Sequence, residues 1–117
     1  MKKILVANWK MNPQTEKEAI ALAKKIDDKR VIIAPPFPFL STVKKAIKKS
    51  QLGAQDLFWE LSGAYTGEVS AAILKNLGVR FVIIGHSERR THLGETDQII
   101  NKKIKVALGA GLKVILC

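Results

Sequence analysis

The stretch Phe81-Val82-Ile83-Ile84-Gly85-His86-Ser87-Glu88-Arg89-Arg90 holds the clearest strand of this chain and its least generic junction. Its first four residues are apolar without alternation, the pattern of a strand buried on both faces, and the polar run after Gly85 reads as the junction where that strand yields to a helix. The same unit recurs on either side. Downstream, Thr96 caps a helix carrying Ile100, Ile104, Ala107 and Leu108; Gly109 and Gly111 end it, and Val114-Ile115-Leu116 begins another apolar strand. Upstream, Ser70 caps a helix through Ile73, Leu74 and Leu77 that ends at Gly78, and Leu52-Gly53-Ala54-Gln55 stands where the series requires a strand. Val31-Ile32-Ile33-Ala34, closed by Pro35-Pro36, precedes a helix striped by Leu40, Val43 and Ile47, with Lys44, Lys45, Lys48 and Lys49 on its solvated flanks. Ile4-Leu5-Val6-Ala7 is the first strand, and Thr15 with Glu18 three residues on forms a capping box ahead of Ala19, Leu22, Ala23 and Ile26.

Strands that are apolar throughout, separated by helices that act as right-handed crossovers, make an α/β fold with a parallel sheet. Two architectures satisfy this: an open doubly wound sheet, or part of a closed (β/α) barrel. The 117 residues allow one domain, and the sequence stops at Cys117 on an apolar strand with no helix after it to cover it. The expectation is a single partial domain over residues 1–117, cut at its fifth strand, with both architectures still open.

Composition narrows the class of function. With 47% apolar and 26% charged residues the chain has the balance of a globular protein. No apolar run approaches the roughly 20 residues that span a bilayer, and Met1-Lys2-Lys3 leads into a short apolar stretch without a small-residue cleavage site. The single cysteine, Cys117, offers neither an internal disulfide nor a cysteine-rich metal site. A cytoplasmic protein is expected, with no membrane association. The net charge of +10 admits an acidic partner, either nucleic acid or a phosphorylated small molecule. Residues 1–50 carry 12 basic and 4 acidic side chains, so the excess sits in the first half, much of it on helix flanks. No aromatic is interleaved with those lysines to stack a base, which argues against nucleic acid.

In parallel α/β folds chemistry collects where strands end and helices begin. Three junctions stand out. After the first strand, Asn8-Trp9-Lys10-Met11-Asn12 puts a cation and amides at a strand's carboxyl end, suited to an anionic group, although a solvated lysine in a polar loop is the plainer reading of that motif alone. After the fourth, His86 lies against the start of a helix whose positive pole disfavours imidazolium, and a neutral ring can donate a hydrogen bond to a carbonyl and polarise it. A structural histidine, with Glu88 paired to a nearby arginine, remains open at this point. A metal site built from His86, Glu88, His92 and Glu95 fits poorly, since the two histidines lack the spacing that places two ligands on one helix face. The third junction is the long segment from Asp56 to Val69, whose Phe58, Trp59 and Tyr65 either project into a partner or fold back onto this chain.

Taken in order, these junctions resemble the triosephosphate isomerases. Asn8-Trp9-Lys10-Met11-Asn12 is similar to that family's first loop and Ala34-Pro35-Pro36-Phe37 to its second. Ser62-Gly63-Ala64-Tyr65-Thr66-Gly67-Glu68 is similar to the tip of its third, and Val82-Ile83-Ile84-Gly85-His86-Ser87-Glu88-Arg89-Arg90 to its fourth. The resemblance covers the whole chain. It implies a (β/α)₈ barrel, a homodimer without metal or cofactor, that interconverts dihydroxyacetone phosphate and D-glyceraldehyde 3-phosphate through an enediolate. It also implies roles: His86 the electrophile, Lys10 the stabiliser of negative charge, Asn8 a second substrate-binding group, Ser87 and Glu88 orienting the lysine and histidine. Tyr65 and Thr66, in the 56–69 loop, would lie at the dimer interface. A barrel of this kind has about 250 residues and eight strands. The family's carboxylate base follows its sixth strand and its phosphate-binding loops follow strands six to eight, so residues 1–117 alone are expected to lack both and to be inactive. A non-catalytic half-barrel that self-associates is the alternative.

Overall fold

The computed structural model describes residues 2–117; Met1, part of the lysine-rich beginning read above, lies outside them. Eleven elements follow the alternating pattern: β1 (Leu5–Asn8), α1 (Glu16–Lys25), β2 (Val31–Ala34), a 3₁₀ turn (Phe37–Phe39), α2 (Leu40–Ala46), β3 (Gln51–Ala54), α3 (Ala71–Asn76), β4 (Val79–Ile84), α4 (Ser87–Leu93), α5 (Asp97–Gly109) and β5 (Lys113–Leu116). All five strands lie parallel in one sheet, in the order β1-β2-β3-β4-β5. Sequential order throughout, with helices between, makes the chain a curled half-barrel, the amino-terminal part of a (β/α)₈ barrel rather than an open doubly wound sheet. Among the described residues β1 pairs with β2 alone and β5 with β4 alone.

The helices begin where the sequence provides caps. Thr15, Ser70 and Thr96 each accept a backbone N–H from the third residue of the helix that follows, at 3.2–3.3 Å. Ala19 and Ala23 of α1, Leu40 and Val43 of α2, Ala71 and Leu74 of α3, and Ile100 and Ala107 of α5 are buried against Ile33, Leu52, Val82 and Ile84 of the sheet. Small alanines let α1 approach closely, while the larger side chains of α2 and α3 fill the space. Ile32 and Ile83 alternate with these residues and are buried on the other face of the sheet.

Two local readings differ from expectation. The strand expected at Leu52–Gln55 runs Gln51–Ala54, with a register shift against β4 between Leu52 and Gly53. Gly53 is there because a Cβ would come within 2.9 Å of Ile32 Cγ2. The second helix stops at Ala46, so Lys48 and Lys49 lie beyond it rather than on its flank. The cause is Asp27, whose carboxylate accepts the backbone N–H groups of Lys48, Lys49 and Ser50 at 2.7–3.0 Å and turns the chain toward β3. No helix among the described residues is long and apolar enough to cross a membrane.

Candidate active site

The carboxyl end of β1 delivers the first group. Trp9 is buried and its N–H bonds Ala34 O of β2, so its neighbours Asn8 and Lys10 are held in fixed positions at the sheet's rim. Lys10 has φ of 57°, a left-handed backbone that a lysine adopts only under constraint. The constraint is local. Its N–H bonds Asn8 Oδ1 at 3.0 Å, and its carbonyl accepts Gln55 Nε2 at 2.9 Å, while Gln55 also bonds Ala34 O. The Lys10 side chain is half exposed and reaches Glu88 Oε1 at 2.5 Å across 78 residues of sequence.

The carboxyl end of β4 delivers the second group. His86 is the N-cap of α4, and its Nδ1 accepts the Glu88 N–H at 3.1 Å. An acceptor Nδ1 leaves the proton of a neutral ring on Nε2, free to donate elsewhere. Glu88 Oε2 stands 3.7 Å from that same Nδ1. The hydrogen bond from Lys10 holds the Glu88 carboxyl below its ordinary value, against a smaller opposing effect of burial. Glu88 therefore pairs with Lys10 and not with an arginine. A cavity of about 300 Å³ is lined by Asn8, Lys10, Met11, Gln55, His86, Glu88, Arg89, His92 and Leu93. The structure thus brings together Asn8, Lys10, His86 and Glu88. Ser87 opens α4 exposed, and its hydroxyl makes no hydrogen bond among the described residues.

Gln55 was not singled out from the sequence. Its position immediately after β3 is the signal that could have found it, because strand ends are where this fold gathers functional groups. Also missed was a buried ionic quartet behind the cavity. Lys103 Nζ lies 2.7 Å from Asp56 Oδ1 and 2.6 Å from Glu95 Oε2; Arg89 lies 3.0 Å from Asp56 Oδ2 and 2.6 Å from Glu95 Oε2. Burial pushes the Asp56 carboxyl above its ordinary value despite both cations. For Glu95 burial acts the same way, but the bonds from Lys103 and Arg89 outweigh it and the carboxyl falls below its ordinary value. Glu95 thus belongs with Lys103, while His86, Glu88 and His92 line the cavity. No three His, Cys, Asp or Glu side chains gather as a metal site among the described residues.

The 56–69 segment folds its aromatics back onto this chain. Phe58 stacks on Trp59 with ring centres 4.1 Å apart and meets Tyr65 at 4.6 Å, while the Phe58 N–H bonds Val69 O and closes the base of the loop. Leu61, Tyr65 and Thr66 stay exposed at its tip, away from the cavity of Lys10 and His86 in the same chain.

Comparison with known proteins follows the same lines. The family model described as Triosephosphate isomerase matches residues 3–117. A protein named triosephosphate isomerase from Dictyoglomus thermophilum is 49% identical, the match covering 99% of this chain and 50% of the relative. Those of Thermoanaerobacter pseudethanolicus and Geobacter metallireducens are 48% and 47% identical, each covering 97% of this chain and 49% of the relative. The chain spans about half the length of the curated relatives it matches.

Proposed function

The chain belongs to the triosephosphate isomerase family, and from that premise we propose that residues 1–117, one partial barrel domain, furnish the lysine and histidine side of an active site that interconverts dihydroxyacetone phosphate and D-glyceraldehyde 3-phosphate. The observation that carries the reading is the meeting of Lys10, Glu88 and His86 at one cavity, from strand ends far apart in sequence. His86, its Nδ1 engaged, has Nε2–H left to donate to the substrate carbonyl oxygen. A proton then leaves the adjacent carbon, an enediolate forms, and the proton returns to the neighbouring carbon. Lys10 has three donors and spends one on Glu88, which leaves it able to offset charge on the enediolate and on the phosphate. Asn8 fixes the Lys10 backbone and shares the cavity. Glu88 is occupied by Lys10, so the carboxylate that takes the proton belongs to the half of the relatives that this chain does not span. Ser87 and Glu88 act on the orientation of the pair, and no metal or cofactor takes part.

We read the loop tip, Tyr65 and Thr66, as the contact with a second copy in a homodimer: the Phe58, Trp59 and Tyr65 stack stiffens the loop and leaves its tip exposed. The setting is glycolysis and gluconeogenesis in the cytoplasm. The test is to fuse residues 1–117 to the remaining half of the Dictyoglomus thermophilum relative and assay isomerisation. Turnover by the fusion and none by residues 1–117 alone is expected; a fusion that is folded and inactive contradicts the reading. A second reading, a self-associating half-barrel without catalysis, draws support from exposed Ile4, Leu5, Val6 and Leu116 along the two open strands.

A further inference from the structure

The helix that carries the histidine's junction has little to hold it. α4 spans seven residues and none of them is buried, so apolar packing does not set its orientation. Its last turn ends at Gly94 in a left-handed conformation, which stops the helix without anchoring it. What holds α4 is ionic. Glu88 reaches outward to Lys10 at 2.5 Å, and the next residue, Arg89, reaches inward to Asp56 at 3.0 Å and Glu95 at 2.6 Å. Those two carboxylates are 7% and 5% exposed, and neither would be stable there with only one shared cation. Lys103, 3% exposed on α5, supplies the second cation at 2.7 and 2.6 Å and makes the quartet neutral. Lys103 and Glu95 do not line the cavity of Lys10 and His86.

We propose that Lys103 and Glu95 are positioning residues: through Arg89 they set the orientation of α4, and with it the Nδ1 bond of His86 and the reach of Glu88 to Lys10. The quartet ties the end of β3, α4, the loop after it and α5 into one unit, so α4 is strung between a buried ionic anchor and the Lys10 pair, with the exposed Arg90–Asp97 pair at 2.8 Å as a further tie to α5. Loss of either anchor charge leaves the remaining three unbalanced at a site where Arg89, 30% exposed, is the member most open to water, and the side that can yield is the helix with no buried side chain. The purpose given to this device rests on the isomerase reading; the device itself does not, and its test needs no turnover.

The experiment is hydrogen exchange and histidine nitrogen NMR on the chain with Lys103→Met, Glu95→Gln and, as the conservative variant, Lys103→Arg. Amides of residues 90–93 are expected to exchange about tenfold faster or more, relative to those of β4, in Lys103→Met and Glu95→Gln. The His86 Nδ1 resonance should move as its bond to the Glu88 N–H is lost, and Lys103→Arg should restore both signals. Exchange that rises equally in α4 and β4, or a His86 signal that does not move, overturns the proposal. So does failure of both charge-removing variants to fold, which would make the quartet a stability element alone. The isomerase reading could fail with this result intact, or stand with this result absent.

Discussion

Lys10 shows how single residues are set in this chain, since a left-handed lysine is kept in place by the Asn8 side chain on one side and the Gln55 amide on the other. Asp27 does a comparable task at the opposite end of the strands. Burial raises its carboxyl, but the amides of Lys48, Ser50 and Lys49 outweigh burial and bring it to about 2 from 3.8. The folded state therefore binds this proton less readily than the unfolded chain does. Its stabilisation is complete above about pH 4 and is lost as the pH falls toward 2. Asp27→Asn should lower the urea midpoint at pH 6 and flatten its decline between pH 4 and 2. Asp28, also brought to about 2 by hydrogen bonding with Arg30, keeps some slope in the variant. An unchanged acid profile in Asp27→Asn would show that the three amides do not depend on the charge.

Among the elements, α3 is the shortest of the α-helices and the most dependent on one side chain. It has six residues, and Leu74 is its one large fully buried group, with Ala71 beside it. An isolated helix of that length has no stability of its own, so packing must hold it. Leu74→Ala should cost about 2–5 kcal/mol, read from chemical denaturation; a loss well under 1 kcal/mol would mean that the site collapses around the smaller residue. The elements legible in the sequence were those in which local pattern and tertiary environment agree. β2 and the Phe81–Ile84 part of β4 are unbroken apolar runs, and Thr15, Ser70 and Thr96 are caps that act within three residues. β3 was legible only from its place in the series, because Gly53 answers to Ile32 on the neighbouring strand rather than to any β preference. The end of α2 was misjudged for a similar reason: nothing near Lys48 in sequence announces that Asp27 will take its amide. The site divides in the same way. Lys10 and His86 sit at strand ends, where the fold class says to look. The ionic quartet joins residues up to 47 positions apart, and its one local sign is Lys103 on the apolar stripe of Ile100, Ile104 and Ala107.

For the whole molecule, the decisive features are two strand edges left unpaired among the described residues and a net charge of +10. Exposed apolar side chains at 60% for Leu5 and for Leu116 lie on the edge strands, where another strand would normally add. Like charge opposes association of identical chains, and salt screens that repulsion. Residues 1–117 should therefore sediment as a species whose mass rises with concentration and with salt. A monomer at all concentrations would argue against both the loop-mediated dimer and the self-associating half-barrel. The role proposed for His86, acting on the substrate within a barrel completed by a second half, can be read from a single substitution. In the fusion with the Dictyoglomus thermophilum half, His86→Gln should lower kcat by about 10²–10⁴ with a much smaller change in KM, because the interaction removed is made chiefly in the transition state. Turnover unchanged in the His86→Gln fusion would contradict the account.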